Sequence, residues 1–109
     1  MIQVTFGAMS YWVYIVTNKP FGTLYVGMTN DVVHRAYQHR EGLVDGFTKR
    51  YGIRMLVYYE EHATALEAIR REKNIKHWPR AWKIDLVRKM NPEWRDLFDN
   101  IAQQEWEAP

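Results

Sequence analysis

Glu72 is the residue whose position in the sequence points most directly to chemistry. It lies four and three residues after Ala68 and Ile69, on the apolar face of a segment with helical spacing. The apolar stripe of this face consists of Ala65, Ala68, Ile69 and Ile75. A carboxylate on a buried face is unfavourable unless it is paired or binds a metal. An ion pair with Lys76, four residues further on, is the more common explanation of such a position.

Arg35 and His39 lie one turn apart on another predicted helix, where they share a face with Val32 and Ala36. Together they can bind a phosphate, because arginine presents a planar fork of donors and histidine titrates near neutral pH. In the alternative interpretation the arginine stem covers apolar surface and the histidine is an ordinary packed residue. A rival stripe leaves the buried face of this helix undecided: Val33, Ala36, Tyr37 and Arg40.

Tyr14 and Tyr25 form a third candidate group, since they occupy two strands joined by a short loop. Tyrosines in strands usually serve packing. A phenol, with an ordinary pKa of about 10, becomes a useful base only beside a metal or cations. Gly27 ends the second strand and lets a ligand or another backbone segment approach closely.

These residues need a frame of strands and helices to bring them together. β-Branched and aromatic residues predict strands at 11–17, 24–27 and 54–60, the first two forming a hairpin. Capping and breaking residues predict helices at 32–40, 64–77, 80–90 and 94–101, with a loop at 42–52. The resulting order ββαβααα predicts an α+β fold, a small three-stranded antiparallel sheet flanked by helices.

Length and composition limit the classes of protein to which the chain can belong. Its 109 residues, of which 47% are hydrophobic, suit one domain with a real core. Without cysteine, the chain cannot use disulfides, thiol catalysis or a Cys-ligated zinc site. No apolar stretch is long enough to span a membrane, so we expect a cytoplasmic protein. We also expect loose segments at 1–9 and 103–109, with Met1 and Met9 as alternative starts.

Charge is distributed unevenly although the net charge is only +2. Residues 70–89 contain eight basic and two acidic side chains, and the chain turns acidic after Asn91. This asymmetry is typical of a nucleic-acid binder, and two solvated helix faces of opposite sign are the alternative. Within this region Lys76, Arg80 and Lys83 are the candidate phosphate contacts. The spacing of Trp78 and Trp82 is more typical of core residues than of rings that stack on bases.

The ordered set of these residues resembles the GIY-YIG nuclease superfamily. Tyr14 ends the tripeptide 12–14, Tyr25 opens the tripeptide 25–27, and Arg35, His39 and Glu72 follow at family-like distances. The resemblance extends from Tyr11 to about Phe98 and includes the stretches 39–42, 47–49 and 71–76. It is strongest for the small stand-alone bacterial branch, similar to the nuclease domain of the excision-repair incision subunit, which suggests DNA repair.

The resemblance implies a divalent-metal-dependent endonuclease acting on DNA, selective for structure more than for sequence. In such a protein Tyr14 and Tyr25 line the site and one of them helps to deprotonate the attacking water. Arg35 stabilises the phosphate, His39 matches a site histidine, and Glu72 holds one metal ion, Mg²⁺ with Mn²⁺ as a substitute. DNA is the expected partner, RNA stays open, and no membrane partner or particular oligomeric state is expected.

Departures from the family pattern motivate the alternatives. Trp12 replaces glycine, and Val13 and Val26 replace isoleucine. Met28 stands where some branches carry a lysine that lowers a tyrosine pKa, and Lys49 is the candidate to supply that charge. One alternative is therefore a weak or inactive nucleic-acid-binding module of the same fold. Another is a partner-binding domain that docks through its Trp-rich region, which contains Trp78, Trp82, Trp94 and Trp106.

Overall fold

The computed structural model describes residues 10–106, with side chains described for 10–102. Residues 1–9 and 107–109, and with them part of the predicted loose segments, lie outside the described residues. The chain forms three strands and five helices in this range: β1 (Tyr11–Thr17), β2 (Leu24–Thr29), α1 (Val32–Arg40), α2 (Phe47–Arg50), β3 (Met55–His62), α3 (Ala65–His77), α4 (Arg80–Met90) and α5 (Phe98–Trp106). None of the helices within 10–106 is long and apolar enough to cross a bilayer.

The sheet has the order β2-β1-β3 and is antiparallel throughout, which confirms the predicted α+β class. β1 is the central strand, and every residue from Val13 to Thr17 is buried. Tyr14 pairs with Gly27 on β2 and with Tyr59 on β3. Because side chains alternate along a strand, Tyr14 and Val13 point to opposite faces of the sheet.

Each face of the sheet has its own core. On one face, Val13 and Ile15 pack with α3 and α4, through buried residues that include Ala68, Ile75 and Val87. On the other face, Tyr14 and Val16 pack with α1 and α5 through Val32, Ala36 and Ile101. α3 also packs along β2, which is an edge strand. A side chain of α3 can therefore pass the edge of β2 and approach the face that carries Tyr14.

α1 buries the face that contains the candidate histidine. The Asp31 side chain caps the helix by accepting a hydrogen bond from the His34 backbone N–H at 3.1 Å. Val32, Ala36 and His39 are buried, whereas Tyr37 on the rival stripe is 47% exposed. The structure thus settles the ambiguity in favour of the stripe shared by Arg35 and His39.

α3 begins and ends as its capping residues predict. The Thr64 hydroxyl accepts a hydrogen bond from the Glu67 N–H, and Pro79 follows the end of the helix. Ala68 and Ile75 are buried on either side of Glu72, but Ile69 is 37% exposed and does not belong to the buried stripe. Fewer buried apolar side chains therefore surround Glu72 than the sequence predicted.

The loop predicted at 42–52 contains a short helix, so the order is ββααβααα rather than ββαβααα. Thr48 is buried, and its hydroxyl donates a hydrogen bond to the Val44 carbonyl at 3.3 Å. Gly46 and Gly52 flank α2 with φ of 90° and 64°, in the region that favours glycine. Four residues are too few for apolar periodicity to reveal a helix.

The last helix is α5, which begins at Phe98 rather than at Trp94 as predicted. Trp94 is buried at a φ of 54°. The Asn91 amide donates to the Val57 carbonyl at 3.2 Å and to the Arg95 carbonyl at 2.8 Å, so this segment is a turn fixed against β3. The Asp96 carboxylate then accepts from the Phe98 N–H at 3.0 Å. α5 continues through 103–106, which belong to the segment predicted to be loose.

Candidate active site

Tyr14 lies across Gly27, its partner in the sheet register. The Tyr14 side chain is 2% exposed, and a Cβ added to Gly27 would lie 2.4 Å from Tyr14 Oη. Only glycine leaves room for the phenol in this position. The sequence left open whether a ligand or another segment of the chain approaches Gly27, and in the structure the ring of Tyr14 occupies the space beside it.

The Tyr14 hydroxyl is hydrogen-bonded to His39, with Oη 3.0 Å from Nε2. The two rings are 5.4 Å apart, and His39 is 1% exposed. Burial, aided by the Arg35 charge, lowers the pKa of His39 to about 4. His39 is therefore neutral at neutral pH and, depending on its tautomer, can accept from the phenol or donate to it. Its Nδ1 atom is buried without a partner among the described residues.

Two charged side chains from different elements affect the pKa of the Tyr14 phenol. Burial raises the pKa of Tyr14 to about 12, and the positive charge of the Arg35 guanidinium acts in the opposite direction. The negative charge of Glu72 contributes in the opposite direction and raises the pKa of Tyr14. A cation on α1 and a carboxylate on α3 therefore act in opposite directions on the pKa of the same phenol. Tyr14 is protonated at neutral pH when no ligand is bound.

Tyr25 completes the cluster from β2. It lies two residues before Gly27, so it shares the Tyr14 face of the sheet. The Tyr25 ring is 6.1 Å from the His39 ring, and Lys76 Nζ is 5.8 Å from the centroid of Tyr25. The two tyrosines thus both lie beside His39.

Glu72 forms the ion pair that its spacing predicted. Its carboxylate lies 3.1 Å from Lys76 Nζ, and the Glu72 and Lys76 side chains are 19% and 44% exposed. Within 10–102, the side chains do not bring three His, Asp or Glu residues together in a cluster that could enclose a metal. A single half-buried carboxylate fits Mg²⁺, which keeps several waters and takes substrate phosphate oxygens as ligands. Such an ion would compete with Lys76 for the Glu72 carboxylate.

The other candidate cations form contacts within the chain. Lys49 Nζ lies 3.8 Å from Asp45 on an exposed surface. Arg80 donates to the carbonyls of Phe21 and Gly22 at 2.6 and 2.8 Å. Lys83 donates to the Lys76 carbonyl at 3.2 Å. These hydrogen bonds hold Arg80 and Lys83 against the protein, and phosphate binding by the two residues stays a prediction.

A charged network beside α3 escaped the sequence analysis. Arg71 donates to both oxygens of Glu60, from Nε at 2.8 Å and from Nη2 at 3.2 Å. Tyr58 and His62 contact the same carboxylate at 2.5 and 2.6 Å. Burial raises the pKa of Glu60, but these hydrogen bonds outweigh it and the net shift is downward. The alternation of Tyr58, Glu60 and His62 along β3 was the signal, since it places all three on one face.

Known proteins resemble this chain in sequence and in fold. The chain is similar to small UPF0213 proteins of Staphylococcus aureus, among them those of strains Mu3 and N315. Each is 38% identical over 80 residues, which cover 73% of this chain and 96% of the relative. It is also similar to the solution NMR structure of a UPF0213 protein from Bacillus halodurans, with a TM-score of 0.51 and 27% identity. That match covers 93% of this chain and all of the other.

The family comparison covers the part of the chain that contains the cluster. A model of the GIY-YIG catalytic domain matches residues 10–85, a range that runs from β1 into α4 and includes every residue from Tyr14 to Glu72 discussed above. The match extends over more than half of the chain, and the fold of the structural relative agrees with it. The chain therefore belongs to the GIY-YIG family of nuclease domains and, within it, to the small UPF0213 proteins.

Proposed function

We propose that the chain is a divalent-metal-dependent endonuclease that hydrolyses phosphodiester bonds in DNA and selects structure rather than sequence. The observation that carries the proposal is the buried Tyr14 phenol, bonded to a neutral His39 at 3.0 Å and influenced by both Arg35 and Glu72. Placing three polar side chains, one of them fully buried, around a buried phenol serves packing poorly. It is what a reaction that moves a proton and stabilises charge requires.

Arg35 is the proposed phosphate-binding residue. Hydrolysis places growing negative charge on the phosphoryl oxygens as water attacks, and a preorganised guanidinium stabilises that charge. Arg35 is half-buried on α1 and already acts on Tyr14. A phosphate bound to Arg35 would therefore lie close to the phenol.

Tyr14 and His39 are the proposed route for the proton of the attacking water. With a pKa of about 12, Tyr14 stays protonated in the free protein and does not deprotonate water there. Added positive charge at the site would lower that pKa. The neutral imidazole of His39 fixes the phenol and can accept a hydrogen bond from it. Tyr25 flanks His39 on its other side and bounds the same space.

Glu72 is the proposed metal ligand, and Mg²⁺ or Mn²⁺ is the proposed ion. When bound, such an ion polarises the phosphoryl oxygen and lowers the pKa of water. Glu72 on α3 is paired with Lys76, whose Nζ lies 5.8 Å from the Tyr25 ring, and the Glu72 side chain is 19% exposed, so solvent and substrate can complete the coordination. In the absence of the ion, Lys76 neutralises the carboxylate.

Removing the carboxylate charge tests the proposal. We expect Glu72→Gln to lower metal-dependent cleavage of DNA by about 100-fold or more while leaving the melting temperature nearly unchanged. Glu67→Gln, an exposed glutamate on the same helix, is the matched control and should cleave like the wild type. The substrates are labelled single-stranded, duplex, flapped and branched DNA, with RNA for comparison. Wild-type cleavage by Glu72→Gln would contradict the metal role.

A catalytically weak nucleic-acid-binding module is the second candidate. The Lys76–Glu72 ion pair at 3.1 Å and the raised pKa of Tyr14 favour it, because both oppose turnover. Met28, which follows the tripeptide 25–27, supplies no positive charge there. This candidate predicts DNA binding that is equal in the wild type and in Glu72→Gln, with no cleavage by either protein.

A further inference from the structure

Three aromatic rings run outward from the candidate active site. Tyr25 stacks with Phe47 at a centroid distance of 6.4 Å and an interplanar angle of 27°. Phe47 in turn contacts Tyr51 at 4.8 Å. We call Tyr25, Phe47 and Tyr51 the aromatic ladder. Its inner ring flanks His39, so the ladder is continuous with the proposed site of cleavage.

The outer two rings are exposed although they are large and apolar. Phe47 is 48% exposed and Tyr51 is 50% exposed. The short helix α2 holds them in this orientation, because it buries Thr48 while Phe47 faces solvent. Contiguous exposed rings are unfavourable in water and commonly mark a binding surface.

Cations accompany the ladder at both ends. Lys76 Nζ lies 5.8 Å from the centroid of Tyr25, and Arg50 Cζ lies 5.7 Å from that of Tyr51. Lys49 lies between Phe47 and Arg50 on α2, where Asp45 is its ion-pair partner. Rings flanked by positive charge suit a ligand that alternates flat apolar groups with anions. A nucleic-acid strand has this chemistry.

We propose that the aromatic ladder binds unpaired nucleobases of the strand whose phosphate enters the Tyr14–His39 site. The proposal rests on the proposed function and gives it a substrate class, which is single-stranded, flapped or frayed nucleic acid. Bases within a duplex are covered by their neighbours, so only unpaired bases can lie on the rings. DNA and RNA share this base chemistry, and the test separates them.

The tryptophans of α4 are the rival stacking surface. Trp82 is 57% exposed and meets Trp78 edge to face at 5.9 Å. The two rings line a cavity of about 300 Å³ together with Leu86 and with one acid and one base, Asp85 and Lys89, whose charges offset each other. Arg71, which also binds Glu60, already lies over Trp78 at 5.2 Å. Trp82 is therefore the matched control for an exposed aromatic outside the ladder.

Binding measured without metal tests the ladder separately from catalysis. We would titrate Phe47→Ala, Tyr51→Ala and Trp82→Ala against fluorescein-labelled single strands of DNA and RNA, against duplex DNA, and against a strand with abasic sites. The assay is fluorescence anisotropy at low salt with EDTA. We expect Phe47→Ala and Tyr51→Ala each to weaken single-strand binding by about tenfold, with little change on duplex or abasic strands. We expect Trp82→Ala to bind like the wild type.

Two further variants separate stacking from general apolar contact and from misfolding. Phe47→Tyr keeps the ring and should retain binding, whereas Phe47→Leu keeps apolar bulk and should bind like Phe47→Ala. Unchanged single-strand binding by both alanine variants overturns the ladder, and so does an equal loss on abasic strands. If DNA binding persists in those cases, the proposed nuclease function stands. If the wild type binds no nucleic acid at all, both proposals fail.

Discussion

Gly27 is the residue on which the position of the Tyr14 phenol depends. An alanine Cβ would lie 2.4 Å from Oη and 2.5 Å from Cζ of Tyr14, so Gly27→Ala must displace the ring from His39. We expect a loss of about 1–3 kcal/mol in unfolding free energy, typical of overpacking, together with a loss of cleavage. Urea denaturation and a cleavage assay measure the two effects.

A double-mutant cycle isolates the clash. In a Tyr14→Ala background the obstructing ring is gone, so adding Gly27→Ala should lower the unfolding free energy by less than about 0.5 kcal/mol. An equal cost in both backgrounds would mean that Gly27 is needed for the backbone and not for the phenol.

His39 should make stability depend on pH. Its pKa is about 4 in the folded chain and about 6.5 when unfolded, so between these values only the unfolded state takes up the proton. The free energy of unfolding should therefore fall as pH drops from about 6.5 to about 4, by up to about 1.4 kcal/mol per unit.

Variants of two histidines on α1 separate this effect from that of other groups. His39→Asn should flatten the pH dependence in urea denaturation from pH 4 to 7. His34→Asn should not, because His34 is exposed on the same helix. A pH dependence that survives unchanged in His39→Asn would show that this histidine is protonated alike in both states.

At the scale of elements, the Glu60–Arg71 pair fixes α3 to β3. It joins both oxygens of Glu60 to Arg71, and the Glu60 side chain is 17% exposed. We expect Glu60→Gln to lower the unfolding free energy by about 1–3 kcal/mol. Because Arg71 precedes Glu72, we also expect it to weaken cleavage by shifting α3. Urea denaturation and the cleavage assay measure both.

The ion pair between Glu93 and Arg95 provides the matched control. It has the same 2.8 Å separation, but both side chains are more than two-thirds exposed. Glu93→Gln should lower the unfolding free energy by less than about 1 kcal/mol. Equal losses in the two variants would indicate that the pair on α3 is an ordinary surface contact.

The elements differ in how far the sequence could predict them. α1, α3 and α4 were predicted because each has caps or breakers and more than two turns of periodicity. α2 was missed because its one buried side chain, Thr48, is polar. α5 was placed four residues early because Asn91 followed by proline indicates a helix start. In the structure, contacts of Asn91 with β3 override that local preference.

At the scale of the whole molecule, the charges predict salt-sensitive binding. Arg50 and Lys76 lie beside rings of the aromatic ladder, and Arg35 acts electrostatically on Tyr14, so these three cations lie along the proposed strand path. If these cations make about three phosphate contacts, raising the salt from about 50 to 200 mM should weaken single-strand binding roughly tenfold or more. Lys76→Met should make the salt dependence shallower, as measured by anisotropy in EDTA. Lys73→Met, on an exposed position of α3, should leave it unchanged.

The candidate site was predicted to different extents on the two sides of the fold. Tyr14, Tyr25 and Gly27 lie on one hairpin, so period-two alternation alone places them on one face. Glu72 comes from α3, and only the family resemblance connected it with them. Neither source indicated that Tyr14 fills the space over Gly27, because such a contact depends on side-chain packing.

Metal-dependent cleavage by the wild-type protein tests the central claim most directly. We would incubate it at low salt with end-labelled flapped and single-stranded DNA, in EDTA and in increasing Mg²⁺ or Mn²⁺, and resolve the products on a denaturing gel. Internal cleavage that requires the metal and disappears in Arg35→Ala is the expected result. Folded protein that binds the same DNA but leaves it intact at every metal concentration would contradict the claim, and the chain would be a binding module.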